Sequence, residues 1–517
     1  MKQIHKRLVL LAIILLSIQS INAQEYYFYV DSEEGVPVRY YPQKLQVNNK
    51  YAFVIGAVWE DTKGEITIPE TVYDEKTSKR DCIVNGIYEN AFMGCRELTA
   101  IHIPKTVKGI LYQAFLNCKK INDFVLPDSL LCLYGNAFDG TGWLERQPEG
   151  PVVMGDWVLG YKGELPADGV VSLAKYGKKL AADSFLETNI TEVTDMDQLQ
   201  EICSRAFFNS KLSKAELKDG VILQEWAFNS CQELKSVHIK GNVKGLNCER
   251  EPGDIAHEIY FDYKIVPGIP NYAFGLCTSL DDVIIDEGVE QIGMGAFGSC
   301  AMKTLRLPST MKIVGESAFS CCRSLEEIDL PIGLEEIGRS AFSFSGLKSI
   351  DVPEGIETIE NSTFIYCADL ESVVLPNSLK KIYSNAFVGC ESLKTVTLPE
   401  DVQLVGDSVF TKNGTNFEII VRSRTPKAIR NGAFDQNNYD NATLKVPYGT
   451  KEIYENTNGW KNFVHIVEME PTAIKAVDIS KRKNSRIIYD LQGRNIGKDL
   501  NRLPKGIYIK DGKKIVR

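Results

Sequence analysis

Histidine is scarce in this chain: only five of the 517 residues, His5, His102, His238, His257 and His465, and they are scattered. No Cys-x-x-Cys pair accompanies them, so no metal site is expected, because zinc sites draw paired ligands at short spacing. Gly-x-Ser-x-Gly and His-Glu-x-x-His are missing as well, which removes the strand-to-helix serine nucleophile and the helical zinc-hydrolase pair. Excess positive charge is absent: 59 Lys and Arg stand against 68 Asp and Glu, a formal −9. That excludes the phosphate-neutralising face of a nucleic-acid binder and keeps the surface away from anionic membranes. Beyond the first 24 residues no apolar run is long enough to span a bilayer. The nearest approach to a nucleotide motif runs from Gly333 through Gly338 to Arg339 and Ser340, spaced as a phosphate-binding loop but with arginine in place of lysine. Two glutamates inside it would repel a phosphate, and its glycines have equivalents at Gly288 and Gly293, so it reads as part of a repeat. No catalytic residue, metal or cofactor is assigned.

The first residues carry Lys2, His5, Lys6 and Arg7, then an apolar run from Leu8 to Ile18, then Gln19, Ser20, Ile21, Asn22, Ala23 and Gln24. This is the layout of a secretory signal peptide cleaved after Ala23. A membrane anchor is the competing reading, but the apolar run is about half of the roughly 20 residues that a bilayer core requires. The mature chain would have no Cys at its start for lipid attachment. Cleavage removes three positive charges and no negative one, taking the formal charge from −9 to −12. The expectation is an exported acidic chain with no membrane span after cleavage.

What is abundant is a repeated phenylalanine, usually preceded by alanine. It occurs at Phe92, Phe115, Phe138, Phe185, Phe207, Phe228, Phe274, Phe297, Phe319, Phe342, Phe364, Phe387, Phe410 and Phe434. The spacing is 21 to 24 residues except for gaps of 47 and 46 after Phe138 and Phe228. Each gap is about two periods, which predicts a divergent or enlarged unit at each place and a continuous array.

Apolar positions keep their offset from the phenylalanine: Cys367, Leu370, Val373, Leu375, Pro376, Leu379 and Ile382 follow Phe364, and Cys390, Leu393, Val396, Leu398, Pro399, Val402 and Val405 follow Phe387. The triplet Ile328-Asp329-Leu330 has the period of two of a strand with one buried face, so each unit should contribute one very short strand. The proline after it, as at Pro331 or Pro376, cannot donate to a ladder and turns the chain. A unit of this size cannot bury its apolar side chains alone, so neighbours must stack as a solenoid with capped ends.

Thirteen cysteines in an exported chain raise the question of a disulfide framework. Eight of them, Cys95, Cys118, Cys231, Cys277, Cys300, Cys322, Cys367 and Cys390, lie three residues after a repeat phenylalanine. They form a column at one buried position, where a free cysteine serves as a small apolar side chain. A disulfide between adjacent coils stays open as the alternative.

The pattern Ala-Phe-x-x-Cys-x-x-Leu-x-x-(Val/Ile)-x-Leu-Pro-x-x-Leu-x-x-Ile resembles the BspA-like leucine-rich repeats of bacterial, especially Bacteroidetes, surface proteins. The resemblance covers residues from about 82 to 434 and implies a leucine-rich repeat solenoid, mainly short β-strands and turns with little helix and β-rich caps at both ends. The domain reading is a signal peptide at 1–23, an N-terminal β-rich cap at 24–80, repeats at 81–434 with irregular units at 139–185 and 229–274, a closing unit at 435–470, and a tail at 471–517. Leu444, Pro447, Tyr448, Tyr454, Trp460 and Phe463 resemble the closing unit that follows such arrays, its aromatics covering the last coil. Ile488 to Arg494 and Leu503 to Ile509 resemble the C-terminal β-rich sorting or attachment tail of Bacteroidetes exported proteins.

A ligand surface is expected on the outward residues of the short strands: His102, Val125, Ile284, Arg306, Asp329, Asp351, Val374 and Thr397. A solenoid presents such residues as one extended face suited to a protein or a polymer. The strip mixes both charges with apolar groups and has no aromatic platform, so neither a glycan nor a nucleic acid is singled out. The expected function is non-catalytic binding of proteins or surfaces; the resemblance implies host matrix proteins, other bacteria or mucosal surfaces as partners. The alternatives are a structural envelope component acting as a spacer, and an enzyme hidden in the first irregular unit around Trp143, Asp156, Trp157 and Glu164.

Overall fold

The computed structural model describes residues 28–470 except 33, 35–36, 48–49, 56–61, 75–78, 249–262, 415–416 and 431, and beyond them 488–489, 495–497, 507–510 and 513–516. The expected signal peptide lies outside the described residues. The chain divides into two compact units, Met1–Arg146 and Gln147–Arg517. Each is a solenoid of short strands with little helix.

The coil from Phe319 to Phe342 shows how the sequence makes the turn. Phe319, Cys322, Leu325, Ile328, Leu334 and Ile337 are all buried. Glu327–Asp329 is a strand with Ile328 inward and Glu327 exposed, paired in parallel with Thr304–Arg306. Pro331 then accepts the Leu334 N–H at 3.1 Å, closing a tight turn at the corner. A second strand, Glu336–Ile337, pairs in parallel with Ile313–Val314. The sequence predicts one strand per coil, and the structure has two. The second is only two residues long, with a single inward side chain, which leaves no alternation to read.

The Ala-Phe corner forms a third ladder. Residues two before and two after the phenylalanine sit in the left-handed region, as at Ser340 (φ 54°) and Phe344 (φ 56°) around Phe342. Alternation with right-handed neighbours turns successive N–H groups toward the next coil: Ser340, Phe342 and Phe344 donate to Asn361, Thr363 and Ile365 at 3.0, 2.9 and 2.8 Å. Asn, Ser and Gly tolerate this backbone best, and Gly389 is required in addition because a Cβ there would lie 2.5 Å from the Tyr366 ring.

Inside the corner, eleven rings from Phe185 to Phe434 stack at centroid distances of 5.2 to 5.8 Å and tilts of 3 to 16°. In the first unit Phe92, Phe115 and Phe138 stack at 5.5 and 5.7 Å. The twelve cysteines whose side chains are described are free. Those of the repeat column from Cys118 onward donate to the phenylalanine carbonyl of the preceding coil: Cys322 to Phe297 at 3.0 Å, Cys367 to Phe342 at 3.1 Å and Cys277 to Phe228 at 3.1 Å. Burial pushes the Cys322 thiol up to about 12, so it stays protonated and able to donate.

The two long gaps behave differently. Phe274 stacks directly on Phe228 at 5.2 Å, so the second gap is an enlargement carried outside the stack, with Lys244–Cys248 and Tyr263–Val266 pairing as an antiparallel hairpin. The first gap holds the division between the two units. Trp143 meets Phe138 edge-on at 5.8 Å, a short helix Gly142–Glu145 follows, and the chain divides after Arg146. The second unit then opens with a hairpin, Gly150–Met154 against Trp157–Lys162, whose second strand starts a parallel ladder at Lys179–Leu180.

At the N-terminal end Phe28–Asp31, Pro37–Val47, Lys50–Ile55, Thr71–Asp74 and Lys79–Ile87 form one sheet that runs on into the coil strands Gly109–Ile110 and Cys132–Leu133, so the strand Lys79–Ile87 crosses the expected boundary at residue 80. At the other end Tyr439, Trp460 and Phe463 pack on Phe434 at 5.9, 6.2 and 4.9 Å, while Tyr448 stays exposed. In the tail, Ile488–Tyr489, Asn495–Gly497, Ile507–Lys510 and Lys513–Val516 form an antiparallel sheet.

Candidate binding face

Period-two alternation aims one residue of each inward side chain's flanks at solvent, and the parallel register aligns these residues from coil to coil. Asp351 lies opposite Val374, Thr397 opposite Ile420, Arg306 opposite Asp329, and Ile284 opposite His238. Strand Glu97–His102 belongs to the first unit and pairs with Lys63–Thr67; in the second unit the outward residues fall on three further sheets, ending with the six strands from Ser349–Asp351 to His465–Glu468.

Charges beside the strands are matched between coils. Lys303 and Lys348 both pair with Glu326, and Lys394 pairs with Glu371 at 2.6 Å. Glu290 and Lys312 pair at 2.7 Å along the two-residue ladder, as do Glu357 and Lys380. Hydrogen bonds from Lys348 and then Lys303 hold the Glu326 carboxyl below its ordinary range. Exposed pairs of this kind contribute little stability each, but they leave the neighbouring surface close to neutral. What the strand faces offer a partner is then aliphatic and small polar: Ile284 is 48% and Val467 49% exposed, with Val374 and Thr397 half-buried.

In the first unit the face opens into a groove of about 340 Å3, lined by Ala100, Ile101, His102 and Ile103 on one wall and Asp123 and Val125 on the other. Val125 is 77% exposed and His102 lies 3.5 Å from Glu65.

Two buried polar pairs went unread in the sequence. Glu201 is buried, lies 3.4 Å from Lys179 and accepts from Gln224 Nε2 at 3.2 Å. Asp183 accepts from Arg205 Nη2 at 3.2 Å with Nε 3.0 Å from its other oxygen. Burial pushes the Asp183 carboxyl up to about 6, with Arg205 opposing the shift. In each pair the partners are one repeat apart, 22 residues, and that spacing was the available signal.

Among the described residues no group of three or more His, Cys, Asp or Glu could hold a metal ion, and no helix is long and apolar enough to cross a membrane. The stretch from Gly333 to Ser340 contains the strand Glu336–Ile337, and a Cβ on Gly338 would lie 2.6 Å from Glu316 N; it is a coil wall, not a phosphate cradle. Of the residues suspected of hidden catalysis, Trp143 packs on Phe138 in the first unit, while Asp156, Trp157 and Glu164 belong to the second, with Lys179 over the Trp157 ring at 4.9 Å.

No curated protein matches the chain. Among solved structures it is similar to a leucine-rich repeat protein from Bacteroides ovatus (18% identity, 86% of this chain and 100% of that one, TM-score 0.33). It is also similar to a leucine-rich cell surface protein from Faecalibacterium prausnitzii (17%, 88% and 98%, 0.30) and to the pneumococcal vaccine antigen PcpA (15%, 86% and 100%, 0.32). The profile of the BspA type leucine-rich repeat region matches residues 84–146, 171–249, 258–371 and 357–466, in six copies. With well over half of its length matched in this way, the chain belongs to the BspA type leucine-rich repeat family.

Proposed function

We propose that this chain is an exported, non-catalytic binding protein of the cell surface or its surroundings, and that the outer strand faces hold other proteins. The observation that carries the reading is the set of aliphatic side chains on those faces, Ile284, Val374 and Val467, flanked by lysines and glutamates already paired with one another. Membership of a repeat family built as a scaffold supports it, since stacked coils offer a long surface and little enclosed volume. In this reading residues 1–23 direct export, the repeats bind, residues 435–470 close the array, and the tail at 471–517 sorts or attaches the protein. Adhesion to host matrix or bacterial surface proteins is the expected use.

The test is a pull-down with residues 24–517 against extracellular-matrix and bacterial-surface extracts, repeated with the combined Ile284→Glu, Val374→Glu and Val467→Glu variant. Recovery of a partner by the parent and its loss in the variant is expected. Recovery of nothing by the parent would remove the reading.

A further inference from the structure

The longest ladder of the second unit's outer face ends on an open strand. His465–Glu468 is the last of its six parallel strands and pairs only with Thr443–Val446. Trp460 and Phe463 pack on Phe434 and so close the end of the ring stack, but among the described residues nothing closes the end of this ladder. Met469 N–H donates to Val446 C=O at 2.8 Å. In a parallel ladder the N–H and C=O of one residue point to the same side and successive residues alternate. His465 and Val467 therefore turn their peptide groups toward Thr443–Val446, and Ile466 and Glu468 turn theirs to the open edge. Among the described residues nothing bonds to them there.

The side chains follow a second alternation: Ile466 is buried, while His465 and Val467 stand exposed on the outer face. Sheet edges are commonly blunted by charge, proline or a bulge, because a row of free peptide groups is a template for another strand. No such device protects this edge. Its pairing has no register shift, and its one carboxylate, Glu468, is turned back to accept Lys451 N–H at 2.9 Å.

We propose that two copies of the chain join through this edge, with His465–Glu468 of each running antiparallel about a two-fold axis at Val467. A second copy brings the same two free residues at the same spacing, so the edge complements itself. Centred on Val467, Ile466 of one copy faces Glu468 of the other, and each such pair exchanges two hydrogen bonds, which uses every free peptide group of the strand. The two Val467 side chains then meet at a non-hydrogen-bonded position, where Cα atoms approach to about 4.5 Å. Centring on Glu468 instead would set two carboxylates opposite each other, an unfavourable pairing. An axis perpendicular to the sheet keeps both buried faces on one side and both outer faces on the other, as an isologous contact requires. The two six-stranded sheets run on as one. Presenting the outer strip twice is a consequence that rests on the protein-binding reading above; the contact itself does not.

Sedimentation of the mature full chain across a concentration series tests the contact. A contact this small predicts a monomer–dimer equilibrium with a dissociation constant of about 10–100 μM. Val467→Lys puts two like charges on the axis and should weaken dimerisation about tenfold or more, while the thermal transition stays in place because the position is exposed. Val467→Cys should give a disulfide-linked dimer on mild oxidation, since its Cα separation falls within disulfide range. His465→Cys, whose two copies stand about 14 Å apart across the axis, should give no more cross-linked dimer than the parent. Ile284→Glu combined with Val374→Glu alters the strip away from the edge and should leave dimerisation unchanged, which separates this proposal from the preceding one. A monomer throughout the series, dimers indifferent to Val467→Lys, cross-linking at residue 465 as readily as at 467, or loss of the dimer in the 284 and 374 variant would each overturn it.

Discussion

The two long gaps in the phenylalanine series differ by one residue in length and by everything in consequence. After Phe228 the next coil is reached in full register: Phe274 on Phe228, Tyr272 stacked on Trp226 at 4.2 Å, Cys277 bonded to the Phe228 carbonyl, and Val237 opposite Val283. After Phe138 the flank forms a local turn. Thr141 stands at the cysteine position, and its hydroxyl turns back to the carbonyl of its own coil's Phe138 at 2.7 Å while accepting Leu144 N–H to start a helical turn. Gly142 lets that turn lie close, since a Cβ would be 2.5 Å from Lys119 C=O, and Trp143 closes over Phe138 and Phe124. A gap in a repeat can thus hold a hairpin that leaves the ring stack in register or a short helix that packs on its own coil.

Breaking the continuous side of this comparison should have the largest effect. Phe274→Ala removes a fully buried ring that touches rings on both sides, and should cost about 3–5 kcal/mol in urea unfolding. Trp143→Ala removes a buried ring that meets Phe138 and Phe124 edge-on and should cost about 3 kcal/mol, with amide protection lost around Phe115 and Phe138 in hydrogen exchange. Equal effects of both, with no localisation, would mean that Trp143 is an ordinary stack member.

How far the sequence could foretell this depends on whether one residue type holds one position. The phenylalanine and cysteine columns were legible because they repeat in kind. The left-handed column was not, since Ser340, Asn385, Trp226, Tyr272 and Gly295 share a backbone conformation but no chemistry. The strip could be named residue by residue, yet the ladders its residues fall on depend on which coils complete their hydrogen bonds. Matched charges 22 residues apart would have revealed Asp183–Arg205 and Lys179–Glu201 had charges been compared across one period.

The left-handed column also sharpens the contrast between the coils that follow the two gaps. Behind the second gap it carries the Trp226–Tyr272 stack; behind the first it carries Asp183, whose carboxyl is raised from 3.8 to about 6 by burial. As pH falls from about 6 toward 4 the folded chain binds this proton before the unfolded chain does, so the group favours folding on acidification and disfavours it above pH 6. Asp183→Asn removes the effect. Its stability relative to the parent should be better at pH 7.5 than at pH 4 by about 1–2 kcal/mol, a difference read from urea titrations at both pH values in which the other carboxylates cancel. A pH-independent difference would mean that Arg205 keeps the carboxylate charged throughout.

The smallest effect is expected where the insertion reading predicts indifference. Cys248 and Tyr263 are paired across the hairpin, so residues 249–262 can be replaced by an Asn-Gly turn without moving either strand. Shortening a connection of that length changes its closure entropy by about 1 kcal/mol, in the stabilising direction, while the Phe228–Phe274 stack is left untouched. The variant should unfold within about 1 kcal/mol of the parent and keep the same amide protection at Phe228, Phe274 and Cys277. A large loss would show that the second gap, like the first, contains part of the fold.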